Sequence, residues 1–79
     1  MDIQFSLWPL GDMYLKDEMK EVQAILDDSG LKYEMNAMST TLKGDWDEVM
    51  SCIKSCHDAL RKRHKRVLCQ IMVDDDAAE

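Results

Sequence analysis

Two cysteines four residues apart, Cys52 and Cys56, are followed at once by His57. On a helix that spacing brings both sulfurs near one face, a possible start for a soft-metal or thiol site. The Cys-x-x-x-Cys-His order is not a zinc-finger spacing, however, and no second ligand pair stands elsewhere in the chain. A Cys-x-x-Cys redox motif is absent as well. Cys56 and His57 fit an apolar helical stripe and Cys52 sits beside it, so all three read as packing residues or idle thiols.

The basic run Arg61-Lys62-Arg63-His64-Lys65-Arg66 could contact phosphates, but at a helix end it equally stabilises the negative pole of the backbone dipole. A formal net charge of −6 and the lack of interleaved aromatics argue against nucleic acid. Carboxylates are plentiful on helix surfaces and in the tail, and no acid–base pair can be nominated among them. No Ser-His-Asp order, phosphate loop or dinucleotide glycine pattern is present. The residue types point to a non-enzymatic binding protein.

Six elements must position whatever binds. Residues 3–8 alternate apolar and polar up to Trp8, as a strand does, with Ile3, Phe5 and Leu7 on one side and Gln4, Ser6 and Trp8 on the other. Pro9 and Gly11 follow as strand breakers. From Leu15 to Asp28 the period changes, and Leu15, Met19, Val22, Ile25 and Leu26 mark one helical face, while Lys16, Glu18, Lys20, Glu21 and Gln23 occupy the rest. Gly30 suits the left-handed position beyond that helix. Residues 31–38 alternate again, and residues 39–43 suit a short partner strand. Asp45 with Glu48 offers a capping box for a second helix, whose stripe runs Trp46, Val49, Met50, Ile53, Cys56, His57, Leu60. Residues 67–73 form the last strand.

This order, β-α-β-β-α-β, predicts an α+β ferredoxin-like sandwich: a four-stranded antiparallel sheet with two helices on one face. The 79 residues make a single domain, 1–79, with 74–79 as a polar tail. No apolar run reaches the roughly 18–20 residues needed to span a membrane. The N-terminus carries no signal-like stretch, so a cytoplasmic protein with reduced thiols is expected.

Two helices can dry only one face of the sheet. Ile3, Phe5, Leu7, Cys69, Ile71 and Val73 are expected beneath them. The other face would carry Gln4, Ser6, Trp8, Glu34, Asn36, Met38, Leu68, Gln70 and Met72, a mixture of apolar walls and hydrogen-bonding groups. Such a surface suits a subunit interface, a ligand site for a flat ring, or both.

Three segments carry a family resemblance: Gln4-Phe5-Ser6-Leu7-Trp8-Pro9-Leu10-Gly11, Ser29-Gly30-Leu31-Lys32-Tyr33-Glu34-Met35-Asn36 and Gly44-Asp45-Trp46-Asp47-Glu48-Val49-Met50. Together they resemble the thiamine-binding protein family (MTH1187/YkoF-like) over about residues 3–74. The resemblance implies a ferredoxin-like fold, dimers or tetramers assembled through the sheets, and binding of thiamine or its hydroxymethylpyrimidine part without catalysis or a required cofactor. By position it brings forward Ser6, Trp8, Gly11, Tyr33, Asn36, Met38, Thr40, Asp45 and Trp46 as candidate ligand-binding residues. Trp8 stands where the family often has Tyr, and the basic run replaces a more usual glycine-containing turn.

An aminopyrimidine would fit a slot walled by Trp8 and Met38, with the Asn36 amide donating and accepting at once. The cationic thiazolium would suit an aromatic face or Glu34. Ser6 and Thr40 could reach a hydroxymethyl oxygen. Tyr33 and Trp46 read first as core and only second as contacts, while Ser6 and Asn36 read either way. The rival expectation is a structural or regulatory protein-interaction domain with no small-molecule ligand.

Overall fold

The computed structural model describes residues 1–9, 16–36 and 39–77. Strand β1 (Asp2–Pro9), helix α1 (Lys16–Ser29), strands β2 (Lys32–Met35) and β3 (Thr40–Lys43), helix α2 (Trp46–Arg61) and strand β4 (Val67–Asp74) follow in the expected order. One antiparallel sheet results, in the order β2-β3-β1-β4. Each helix therefore crosses over an intervening strand, and the ferredoxin-like arrangement expected from the periodicities is the one observed.

The helix ends follow from local chemistry. At the start of α2 the Asp45 carboxylate accepts from the Glu48 N–H at 3.0 Å, satisfying one of the donors a helix start leaves open. At the end of α1, Gly30 turns into the left-handed region with φ +74°, where a Cβ would be strained. The Ser29 hydroxyl donates to the Leu26 carbonyl at 2.6 Å and accepts from the Leu31 N–H at 3.1 Å, which fixes the exit path.

The core lies between the helices and one face of the sheet. Ile3 and Phe5 of β1, Leu42 of β3, Val22 and Leu26 of α1, and the stripe Val49, Ile53, Cys56, Leu60 of α2 are all buried. Cys52 joins them, so both helix cysteines pack inward. Some expectations need correction. Trp46, read as core, is 52% exposed at the first turn of α2. Met19, read on the apolar face of α1, is exposed, whereas Glu18, read as surface, is only 8% exposed. The helix is turned so that the i, i+4 row Glu18, Val22, Leu26 faces inward.

Cys69 and Ile71 were expected beneath the helices and are exposed. Their strand, β4, is an edge of the sheet, and the helices leave it partly uncovered. On the opposite face the register sets Trp8 against Leu68, Ser6 against Gln70 and Gln4 against Met72. Trp8, Leu68 and Met72 all stand exposed there, so the mixed face read from the alternation is present in the fold.

Candidate functional site

The sheet is uneven. β3 begins at Thr40, opposite Phe5, while β1 runs on to Pro9 with β4 along its other side. The β2–β3 hairpin closes at Asn36, whose N–H donates to the Ser39 carbonyl at 2.8 Å. Among the described residues no strand pairs with β1 beyond Phe5 on that side. A notch of about 230 Å³ opens there.

Residues 5–9 of β1 form one wall, and Met35, Asn36, Ser39 and Thr40 of the hairpin form the second. Glu18, Met19 and Val22 of α1 close it from below, with Leu60 of α2 at the back. Most of the lining is apolar, and the volume lies below the roughly 300–1,000 Å³ of pockets that hold drug-sized ligands. Such a space suits a small heterocyclic ligand or part of one.

The ladder pattern also decides what the backbone presents. The Gly44 N–H donates to the Met1 carbonyl at 3.3 Å, making that residue pair a hydrogen-bonded one. In an antiparallel ladder bonded and non-bonded pairs alternate, so Ile3 and Phe5 bond toward β3 while the even residues bond toward β4. Leu7, next in the odd series, therefore turns its N–H and C=O toward the notch. Pro9, which has no N–H to give, is the following member of that series, and its missing donor costs the β4 ladder nothing. Among the described residues nothing pairs with that stretch of β1, which there presents one donor and one acceptor side by side.

Of the nine residues brought forward by sequence, the notch gathers Ser6, Trp8, Asn36 and Thr40. Thr40 is buried, Trp8 is 42% exposed, and Gln4 steadies the hairpin by donating from Nε2 to the Ser39 hydroxyl at 2.9 Å. Tyr33, Asp45 and Trp46 are not part of its lining. The Tyr33 hydroxyl donates to the Asp27 carboxylate of α1, and that bond pushes its pKa up. Asp45 and Trp46 start α2 beyond the far end of β3. Gly11 and Met38 lie outside the described residues.

Glu18 is the lining residue that sequence reading assigned elsewhere. Its Oε1 lies 3.2 Å from Nε2 of His64, itself buried behind the end of α2. Arg63 Nη1 stands 3.9 Å from the same oxygen, while Arg63 Nη2 is held at 3.0 Å by Glu21. These partners offset the cost of bringing a carboxylate in from water. The signal available in the sequence was the four-residue row shared with Val22 and Leu26.

The thiols take no part in the notch. Burial first, and then the neighbouring Cys52, push the Cys56 pKa up to about 12; burial raises that of Cys69 as well. Such thiols are weak nucleophiles at neutral pH. Among the described residues no group of His, Cys, Asp and Glu could hold a metal ion, and no helix is long and apolar enough to cross a membrane.

Comparison with known proteins gives this geometry a context. A UPF0045 protein of Synechocystis is 47% identical over 38 residues, covering 48% of this chain and 31% of that protein. A UPF0045 protein of Methanocaldococcus jannaschii is 30% identical over 73 residues, 91% of this chain and 73% of its own length. A crystal structure of a hypothetical protein from that organism matches 99% of this chain and 81% of its own with a TM-score of 0.90 at 28% identity. A Thermotoga maritima protein provisionally assigned to thiamine biosynthesis or salvage matches with a TM-score of 0.77 at 25% identity, covering 99% of this chain and 87% of that one. A family model described as thiamine-binding protein covers residues 3–79. By that match, the chain belongs to the thiamine-binding protein family.

Proposed function

We propose that the notch binds thiamine or its hydroxymethylpyrimidine part without transforming it, so that the protein acts as a carrier, buffer or sensor. The observation that carries this reading is the assembly of Ser6, Trp8, Asn36 and Thr40 around a small, mostly apolar notch, in a chain of this family. A 4-aminopyrimidine presents a ring nitrogen beside an exocyclic amine. The Leu7 N–H can donate to the first while its C=O accepts from the second, and the Asn36 amide offers the same pair of functions. Trp8 supplies a flat wall, and a hydroxymethyl oxygen would meet the hydroxyl of Thr40 or that of Ser6, which lie on opposite faces of the sheet.

Titration calorimetry with thiamine and with hydroxymethylpyrimidine tests the reading; heat from at least one is expected, and none from either at millimolar ligand refutes it. Fluorescence adds the location. In a Trp46→Phe variant the remaining tryptophan is Trp8, and its emission should change on binding.

The uncovered sheet face supports self-association alongside the ligand site. Trp8 and Leu68, and beyond the Ser6–Gln70 pair Met72, which is 64% exposed, leave apolar surface beside the open edge of β4, and both features favour pairing with another chain. Sedimentation of the wild type against Met72→Lys, with a homodimer or homotetramer expected only for the former, examines this. The same patch favours the rival reading of a pure protein-interaction domain. Unchanged ligand affinity in Asn36→Ala and Ser6→Ala, with weakened assembly, would support that rival.

A further inference from the structure

We infer that Glu18 sets the charge of what the notch accepts, making it a site for a cationic heterocycle and closing it to phosphate esters. This rests on the thiamine-type reading of the same site and adds a specificity to it. Among the contacts that the described residues make to Glu18, all fall on Oε1: His64 Nε2 at 3.2 Å and Arg63 Nη1 at 3.9 Å. None falls on Oε2, and no buried side-chain oxygen of the described residues lacks a partner. Oε2 therefore keeps some access, in a residue that is otherwise 8% exposed and lines the notch.

A carboxylate oxygen held in an apolar slot attracts a positive charge and opposes a negative one far more than it would in water. Arg63 offsets that charge only in part, since its guanidinium is shared with Glu21, to which it lies closer. The other cations of the run, Lys62, Lys65 and Arg66, are exposed and not among the lining residues. Thiamine carries its positive charge permanently on the thiazolium. Its monophosphate adds negative charge to the same scaffold, and the bare hydroxymethylpyrimidine carries none. The three ligands thus form a charge series on one recognition element.

The experiment is calorimetric titration of the full chain with thiamine, thiamine monophosphate and hydroxymethylpyrimidine at low salt. The wild type is expected to bind thiamine at least about tenfold tighter than the monophosphate. Glu18→Gln keeps an oxygen for His64 but removes the charge. It should weaken thiamine about tenfold, leave hydroxymethylpyrimidine within about twofold, and shrink the preference over the monophosphate. A merely structural role would weaken all three ligands together. Equal or tighter binding of the monophosphate by the wild type overturns the inference, even if Glu18→Gln does not fold, as does an unchanged preference in a folded variant. Heat from hydroxymethylpyrimidine with either of those results leaves the binding function standing. No heat from any of the three removes the binding function and this specificity together.

Discussion

Native thiol reactivity gives a direct test of where the fold places its three cysteines. Cys69 lies on the edge strand and is exposed, while Cys52 and Cys56 are buried under α2. At pH 8 a thiol of pKa near 9 is about one-tenth thiolate, whereas one at about 12 is about one ten-thousandth, a difference of about a thousandfold. The more basic thiolate is intrinsically more nucleophilic; with a Brønsted slope of about 0.4–0.5, three units return roughly sixteen- to thirtyfold. Ionisation alone thus slows Cys56 by roughly thirty- to sixtyfold relative to an ordinary thiol, before any opening of the core is required. Cys69, raised more mildly by partial burial, should be slower than free cysteine but remain accessible. With Ellman's reagent at pH 8, one of the three sulfhydryls should react in a fast phase, and the other two only slowly or after urea. Cys69→Ser should abolish the fast phase. Two or three comparably fast thiols, or a fast phase that survives Cys69→Ser, would refute the placement of β4 and α2.

Other expectations follow from the same geometry. Leu42→Ala empties a fully buried site at the centre of the core and should cost about 2–5 kcal/mol. A chain of this size holds only about 4–12 kcal/mol in total. A thermal melt should fall by at least about 10 °C. Asp45→Ala removes the cap of α2 and should cost about 0.5–2 kcal/mol by urea denaturation, while calorimetry should find thiamine affinity unchanged because Asp45 does not line the notch. Asp58 has its pKa lowered chiefly by the hydrogen bond from Lys54 at 2.9 Å. Its small contribution to stability should be full above the ordinary carboxylate pKa and lost as pH falls through the lowered value. Carboxyl NMR should show the Asp58 midpoint rising in Lys54→Met, and an unmoved midpoint would contradict the pairing.

The order of elements was legible because each segment carries its own period. The two-residue alternation of residues 3–8 and the row Val49, Ile53, Cys56, Leu60 identify a strand and a helix before any tertiary contact is known. The cap at Asp45 was legible for the same reason, being a contact between residues three apart. The reading of Trp46 failed because periodicity assigns a face to a helix but not how far along its length the core extends. Glu18 was misplaced by its charge: a single carboxylate reads as surface until a partner distant in sequence is known, and His64 lies 46 residues away.

Sequence by itself determined the fold class and the mixed character of the sheet's uncovered face, since both follow from local patterns of residue type, and three segments in order carried the resemblance to the family. Only the tertiary structure decided that among the described residues the β1–β3 pairing ends at Phe5, that Leu7 lines a notch beyond it, and that Glu18 stands within that notch. Strand register and helix rotation are set by packing among distant residues, and a one-residue shift in either would move every side chain of the site to a different surface. Cys52 and Cys56, whose spacing first suggested chemistry, were placed by that packing in the core, and His57 beside them is only partly buried. The candidate chemistry moved instead to a gap between strands of unequal length.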